Sequence, residues 1–264
     1  MQTQTDKTIT LHNGVEFPLL GFGVWQLQDG KECEDATLEA LKAGYRHIDT
    51  ARIYGNEESV GRAIAKSGIP REEIFVTTKL WTTDFLNPEA AFEKSRERLG
   101  LDYIDLYLVH WPIPLAGEAL WKSFEKLYAK KLVRAIGVSN YIISQLEATI
   151  RASRIPPTVN QVEFHLFSHD DELLEFAKKN DVVVEAYSPL NRGKGFNNPT
   201  LVSVSEKYEK TPAQIMLRWA LQKGTVVIPK SKSKERIQEN MEIFDFEIDQ
   251  EDMDALDSIA QTPR

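Results

Sequence analysis

A single cysteine, Cys33, stands among 264 residues, so an intrachain disulfide is impossible and a cysteine-based zinc site is excluded. Basic side chains are in the minority, 32 against 40 acidic, for a net charge of −8. That balance denies the chain the basic footprint of a general nucleic-acid binder. No apolar run approaches the length of a membrane span. The polar start MQTQTDKTIT lacks the basic-then-apolar order of a signal peptide. Linkers, low-complexity stretches and a second compositional zone are also missing. What is there is 42% hydrophobic and 27% charged, enough to bury a large core and keep a solvated surface. These features predict a soluble, cytoplasmic monomer, with residues 1–264 as one domain and no membrane or nucleic-acid partner.

The order of patterns narrows the fold. TITLH and VEFPLL flank Asn13-Gly14, a pair suited to the positive φ angles of a tight hairpin turn. Thereafter strand and helix patterns alternate. LLGFG, YRHID, IFVTTK, YIDLYLVH, RAIGVS, TVNQVEF, VVVEAYS and TVVIPK read as strands. Amphipathic stretches separate them at 34–43, 57–67, 88–99, 118–130, 143–152, 172–180, 201–208 and 213–222. About eight strands, each followed by helical sequence, predict an eightfold α/β barrel, the (β/α)8 or TIM barrel. Several of the strands are apolar almost throughout, as parallel strands covered on both faces are. An open doubly wound sheet would usually carry G-x-G-x-x-G after its first strand. Gly21-Phe22-Gly23 is followed instead by Val24-Trp25-Gln26. Two helical pieces, 233–240 and 249–259, lie outside the barrel rhythm, the second with Asp249 as its N-cap.

Barrels of this kind place their chemistry at the carboxyl ends of the strands. Those ends carry Asp49, Lys79, His110, Ser139 with Asn140, Gln161 with Glu163, Tyr187 with Ser188, and Lys230. Alternation puts Asp49 on one face with His47, for which a packed, hydrogen-bonded core histidine is the preferred reading. Asp49 and Lys79 could be a structural ion pair. Buried pairs stabilise poorly, however, and one at a barrel mouth is better explained by function. Tyr54 follows shortly after Asp49. A phenol titrates near pH 10, too high for an efficient acid at neutrality, and a nearby ammonium is expected to lower it. With His110 close by, these four groups form a proton-donating site for a carbonyl oxygen.

The runs GYRHIDTARIYGNEESVG, TTKLW, DLYLVHWP, IGVSNY, VNQVEFH, AYSPL and IPKSKSKERIQENMEIFDFEI resemble those of the aldo-keto reductases, in order and over essentially the whole chain. The compact bacterial branch with the 2,5-diketo-gluconate reductases is the nearer likeness. The resemblance implies an eightfold barrel, NADPH, and reversible carbonyl reduction without a metal. It sets the family's catalytic tetrad on Asp49, Tyr54, Lys79 and His110, with Tyr54 as the general acid of reduction. Tyr187 would stack on the nicotinamide, and Ser139, Asn140 and Gln161 would bind its carboxamide. Ser139 or Asn140 alone could equally be a helix cap. Ser188 and Leu190 would carry the pyrophosphate. Among Lys230, Ser231, Lys232, Ser233, Lys234 and Arg236, a charge run that elsewhere would read as a solvated face, the family pattern puts Lys230, Ser231 and Arg236 on the 2′-phosphate. Ser233 joins the same phosphate-binding segment, and Glu239 and Asn240 fall on the adenine. Lys232 departs from the usual residue there and either strengthens this site or faces water.

Trp25, Trp81 and Trp111 are the candidate substrate wall, together with the loops 112–117 and 192–199. The short stretch past the last helix predicts an open mouth, suited to aldehydes, α-keto compounds, keto-sugars or methylglyoxal. Three other readings compete. A metal-dependent hydrolase would use His47 and Asp49, but Lys79 in their midst would repel a cation. His165 and His169, spaced i, i+4, lie in an expected loop and are weak metal candidates. A Schiff-base aldolase needs a neutral Lys79, which Asp49 opposes. A non-catalytic NADPH sensor is disfavoured by the intact tetrad.

Overall fold

In the computed structural model, which describes residues 7–113 and 116–259, Thr8–Thr10 (β1) and Glu16–Pro18 (β2) form an antiparallel hairpin. Its turn is wider than a two-residue loop. Gly14 N donates to Leu11 O at 2.8 Å, and of Asn13 and Gly14 only the glycine has positive φ, at 83°. Asn13 is spent differently, its Nδ2 donating to Arg134 O at 3.0 Å and pinning the hairpin to the barrel floor.

Eight parallel strands follow: Phe22–Gly23 (β3), His47–Asp49 (β4), Phe75–Leu80 (β5), Ile104–Val109 (β6), Val133–Ser139 (β7), Val159–Glu163 (β8), Val183–Tyr187 (β9) and Val226–Val227 (β10). Each pairs with the next in chain order. A parallel bridge between Leu20 and Val227 joins the two edges, with Gly21 N donating to Val227 O at 2.9 Å and Val227 N to Leu19 O at 3.0 Å. The sheet thus closes into the expected eightfold α/β barrel. The first and last strands are shorter than the patterns LLGFG and TVVIPK suggest, because Gly21 and Pro229 bring backbone rather than a continuous ladder to the seam.

Helices wrap the outside: α1 (Lys31–Ala43), α2 (Glu57–Ser67), α3 (Pro88–Leu99), α4 (Gly117–Ala129), α5 (Ile143–Ala152), α6 (Asp171–Lys179), the pair α7 (Pro199–Lys207) and α8 (Pro212–Gln222), then α9 (Lys234–Glu239) and α10 (Gln250–Asp257). Their ends carry the expected capping chemistry. Asn87, Asp170, Asn198, Thr211, Ser233 and Asp249 each accept a backbone N–H of the first turn, and proline opens α3, α7 and α8.

Alternation along the strands sorts the interior into layers. Outward residues such as Ile48, Val76, Tyr107, Ile136 and Val184 pack under the helices in the main core. Inward residues at the floor, Phe75, Leu106, Leu108, Ala135, Val159 and Val226, form a separate apolar cluster closed by Leu11 and Phe17 of the hairpin region. Above this floor the inward residues turn polar.

Candidate active site

The change from apolar to polar follows the two-residue period. Along β5 the inward positions are Phe75, Thr77 and Lys79; along β4, His47 and Asp49; along β9, Val183, Glu185 and Tyr187. Lys79 is fully buried and Asp49 nearly so. Lys79 Nζ donates to Asp49 Oδ1 and Oδ2 at 2.7 and 2.8 Å and to Thr50 O at 2.8 Å. Its remaining reach is to Tyr54 Oη at 3.4 Å, with the ammonium 5.0 Å from the ring centroid. Tyr54 is placed by a single 3-10 turn, Arg52–Tyr54, directly after β4.

Burial works against the charge of Lys79, but Asp49 and Tyr54 more than offset it and hold the ammonium above the ordinary lysine range. Tyr54 does not follow the sequence expectation. Burial outweighs the pull of Lys79, and the phenol sits above its usual value. Tyr54 therefore keeps its proton at neutral pH, and the ammonium offsets part of the cost of losing it. His110 packs edge-on against Tyr54 at 5.8 Å and Trp81 at 5.2 Å. Burial, with Lys79 next in weight, pulls its pKa down to about 3, so its imidazole is neutral. Its Nδ1 is buried without a hydrogen bond among the described residues.

Asp49, Tyr54 and His110 line a cavity of about 1110 Å³, and Lys79 stands behind them. The same cavity collects the rest of the sequence candidates: Ser139, Asn140, Gln161, Tyr187, Ser188 and Leu190 on one side, and Lys230, Ser231, Ser233, Arg236, Glu239 and Asn240 on the other. Asn140 takes a left-handed backbone, φ 63°, and donates from Nδ2 to His110 O and Ser139 Oγ, both at 3.0 Å. Tyr187 Oη donates to Asn140 Oδ1 at 2.9 Å. Ser139 and Asn140 are thus wired across strand ends and do not cap α5. Trp25, Trp81 and Trp111 all reach the cavity. Trp25 and Trp111 are 40% and 45% exposed, large values for so apolar a side chain at a cavity mouth.

The basic segment after β10 brings Lys230, Lys232 and Arg236 to the cavity wall. Burial and the neighbouring Lys232 draw Lys230 below the usual lysine value. Among the described residues neither Lys230 nor Arg236 is paired with a carboxylate, whereas Lys232 and Lys234 reach Glu32 and Glu39 at 3.2 and 3.1 Å. Lys232 thus lines the cavity but is tied to α1. Arg192 also enters from the loop after β9, its guanidinium 4.8 Å from the Trp25 ring centroid. Sequence reasoning placed Arg192 only within the pocket loop 192–199, with no role of its own, and missed the Thr50 carbonyl and Glu185. Glu185 carried a usable signal, a carboxylate two positions below Tyr187 in an otherwise apolar strand.

His165 and His169 stand apart from these groups, with Nε2 atoms 3.4 Å from Glu163 Oε1 and 3.6 Å from Asp171 Oδ2. The stretch 260–264, on which the expected open mouth rests, lies outside the described residues, as do Pro114 and Leu115 of the loop 112–117.

Comparison with known proteins decides the family. The family model for the Aldo/keto reductase family matches residues 19–261. The chain belongs to this family. An aldo/keto reductase relative named glyoxal reductase, from Bacillus subtilis (strain 168), is 48% identical over all of this chain and 96% of that protein. A 9,11-endoperoxide prostaglandin H2 reductase from Trypanosoma cruzi (strain CL Brener) is 48% identical over 97% of this chain and 92% of that protein. Among solved structures, an aldo/keto reductase from Brucella melitensis superposes with a TM-score of 0.90 at 49% identity, covering 95% of this chain and 98% of that one. As an aldo/keto reductase the chain is an oxidoreductase acting on small carbonyl compounds with a nicotinamide cofactor. The nearer likeness to the 2,5-diketo-gluconate reductases is carried by the sequence motifs alone. No described helix is long and apolar enough to cross a membrane.

Proposed function

We propose that this chain, acting as one barrel domain, uses NADPH to reduce small aldehydes and ketones, with Tyr54 as the general acid. The observation that carries the reading is the contact of Lys79 Nζ with Tyr54 Oη at 3.4 Å, the ammonium itself held by both Asp49 oxygens. Because Lys79 donates to Tyr54, the phenol's own proton is left to be given to a carbonyl oxygen in the cavity. Once it is given, the phenolate faces the ammonium. Opposite charges about 4 Å apart attract by ~4 kcal/mol at an effective dielectric of ~20, or ~3 pKa units. The neutral His110 supplies a second hydrogen bond to the same oxygen.

The cavity fits the cofactor. It is lined by Lys230 and Arg236 and by amide and hydroxyl groups, and among the described residues neither cation is paired with a carboxylate and a buried nitrogen of His110 has no hydrogen-bond partner. Bound there, the cofactor would supply the hydride to the carbonyl carbon. Tyr187 would stack on the nicotinamide, and Ser139, Asn140 and Gln161 would hold its carboxamide. Ser188 and Leu190 would line the pyrophosphate. Lys230, Ser231, Ser233 and Arg236 would receive the 2′-phosphate, and Glu239 and Asn240 the adenine. Trp25, Trp81 and Trp111 would form an apolar wall around the substrate. The name of one relative, glyoxal reductase, makes glyoxal a sensible first substrate.

The test is Tyr54→Phe. Reduction of a small aldehyde should fall by at least the ~10²–10⁴-fold that general acid catalysis contributes, while NADPH, followed by tryptophan fluorescence, still binds. A variant that keeps more than about a tenth of the wild-type kcat lies far above that range and removes Tyr54 from the role.

A further inference from the structure

Glu185 has no part in the reduction just described, yet it lies fully buried directly beneath the groups that do. Its register on β9 sets it opposite Gln161 on β8, and Glu185 Oε2 accepts a hydrogen bond from Gln161 Nε2 at 2.7 Å. The second hydrogen of that nitrogen goes to Asp49 Oδ2 at 2.9 Å. A primary amide has two N–H donors and one carbonyl acceptor. Both donors of Gln161 are thus consumed by carboxyl groups in the barrel interior. Its Oε1 is the atom left over for the cavity that Gln161 lines.

We propose that Glu185 is a positioning residue for carbonyl reduction, locking the Gln161 amide so that Oε1 faces the cofactor carboxamide and Nε2 braces Asp49 under Lys79. The proposal rests on the reading of the cavity as a nicotinamide site. Without Glu185 the amide loses one of two anchors and is free to flip, presenting N–H where an acceptor is needed. The same loss loosens Asp49, whose Oδ2 also holds Lys79. The chain Glu185, Gln161, Asp49, Lys79, Tyr54 therefore joins cofactor orientation to the proton donor through side chains alone.

The surroundings of Glu185 fit a neutral anchor better than an ion. Among the described residues no cation pairs with it directly, and the Lys79 ammonium offsets only part of the cost of its charge. Its Oε1 lies 3.7 Å from His47 Nε2 and makes no hydrogen bond among the described residues. His47 is itself neutral, its pKa drawn down to about 3 by burial and by Lys79. Burial and the charge of Asp49 push the Glu185 carboxyl up to about 8. Near pH 7 glutamine is accordingly its close mimic, and leucine is the variant that removes the anchor.

The experiment compares wild type, Glu185→Leu, Glu185→Gln, Gln161→Ala and the Glu185→Leu/Gln161→Ala double variant. Affinity for NADPH is read by tryptophan fluorescence and kcat on one small aldehyde, with circular dichroism and Tm recorded for each. Glu185→Leu should weaken NADPH at least fivefold and lower kcat, and Glu185→Gln should restore both to within about twofold. The double variant should be no worse in cofactor affinity than Gln161→Ala alone, because the anchor acts only through that amide. A merely structural role would lower Tm but leave the two losses additive. Additive losses, or a folded Glu185→Leu that binds NADPH as tightly as wild type, would overturn the proposal. If Glu185→Leu fails to fold, a Glu185→Gln variant whose kcat and affinity both fall fivefold or more would overturn it too. A wild-type chain that binds no nicotinamide cofactor would instead defeat the reading of the cavity.

Discussion

Arg236 and Lys230 line one cavity and, among the described residues, neither is paired with a carboxylate; on the proposed reading they are the residue-scale basis of cofactor choice. A charge-assisted hydrogen bond contributes about 1.5–3 kcal/mol. Arg236→Ala should therefore weaken NADPH roughly tenfold or more and leave NADH affinity unchanged. Equal weakening of both, in a fluorescence titration, would show that Arg236 does not read the 2′-phosphate. The titrating groups set a second expectation. His110 is neutral, with its pKa near 3, and Tyr54 is protonated above its usual range. Neither changes charge between pH 5 and 7, so kcat for reduction should be flat there. An acid limb near 6.5 that vanishes in His110→Gln would show a charged imidazole instead. Gly21 marks a third point. A Cβ added there would overlap His47 Nδ1, so Gly21→Ala should cost about 1–3 kcal/mol, as overpacking does, seen as a lower denaturant midpoint. Much of this scale was open to sequence reading, because the polar strand ends stand out against apolar strands. Glu185 stands out as a carboxylate in an apolar strand, but its partner was not legible, since no local pattern reports the cross-strand contact with Gln161.

At the scale of elements, helices were legible to within a residue or two because their signals are local, except that α1 starts three residues before the expected 34, at Lys31, behind Gly30, which offers no side-chain cap. Asn87-Pro88, Asn198-Pro199 and Thr211-Pro212 put a cap and a proline side by side. The short strands β3 and β10 and the hairpin turn were less so. Their geometry is set by barrel closure and by Asn13 reaching across to Arg134, both of which are non-local. The caps also carry measurable stability. Asp249 accepts from Asp252 N at 2.9 Å and pairs with Lys207 at 2.8 Å. The exposed ion pair adds little, so Asp249→Ala should cost about 1 kcal/mol, the usual value of a lost cap. A thermal scan would register this as a small drop in Tm with aldehyde turnover unchanged. The loop after β9 follows another rule. Ser188, Asn191 and Arg192 all hold left-handed φ, between 45° and 54°, a conformation disfavoured for side-chain-bearing residues and concentrated at functional sites.

Over the whole molecule, the two ends of the barrel divide the labour. The carboxyl end holds the cavity, and the amino end holds an apolar plug. Phe17 is fully buried there, 4.9 Å from the Phe75 ring and 5.1 Å from His47. Phe17→Ala should destabilise the fold by about 3–5 kcal/mol, as large-to-small changes of buried aromatics do, measurable by urea unfolding. The seam at Leu20 and Val227 has a consequence for biosynthesis. A ribosome delivers the first barrel strand before its partner at the seam, with the six other strands in between. Until β10 clears the exit tunnel, both Leu20 and β9 present unmated strand edges, the surfaces most prone to mispairing between chains. The segment from Lys230 to Asn240 arrives later still. A nascent chain stalled before Val226 should therefore be protease-sensitive and in need of chaperone shelter, and the basic wall of the cavity should be the last part of it to come into being.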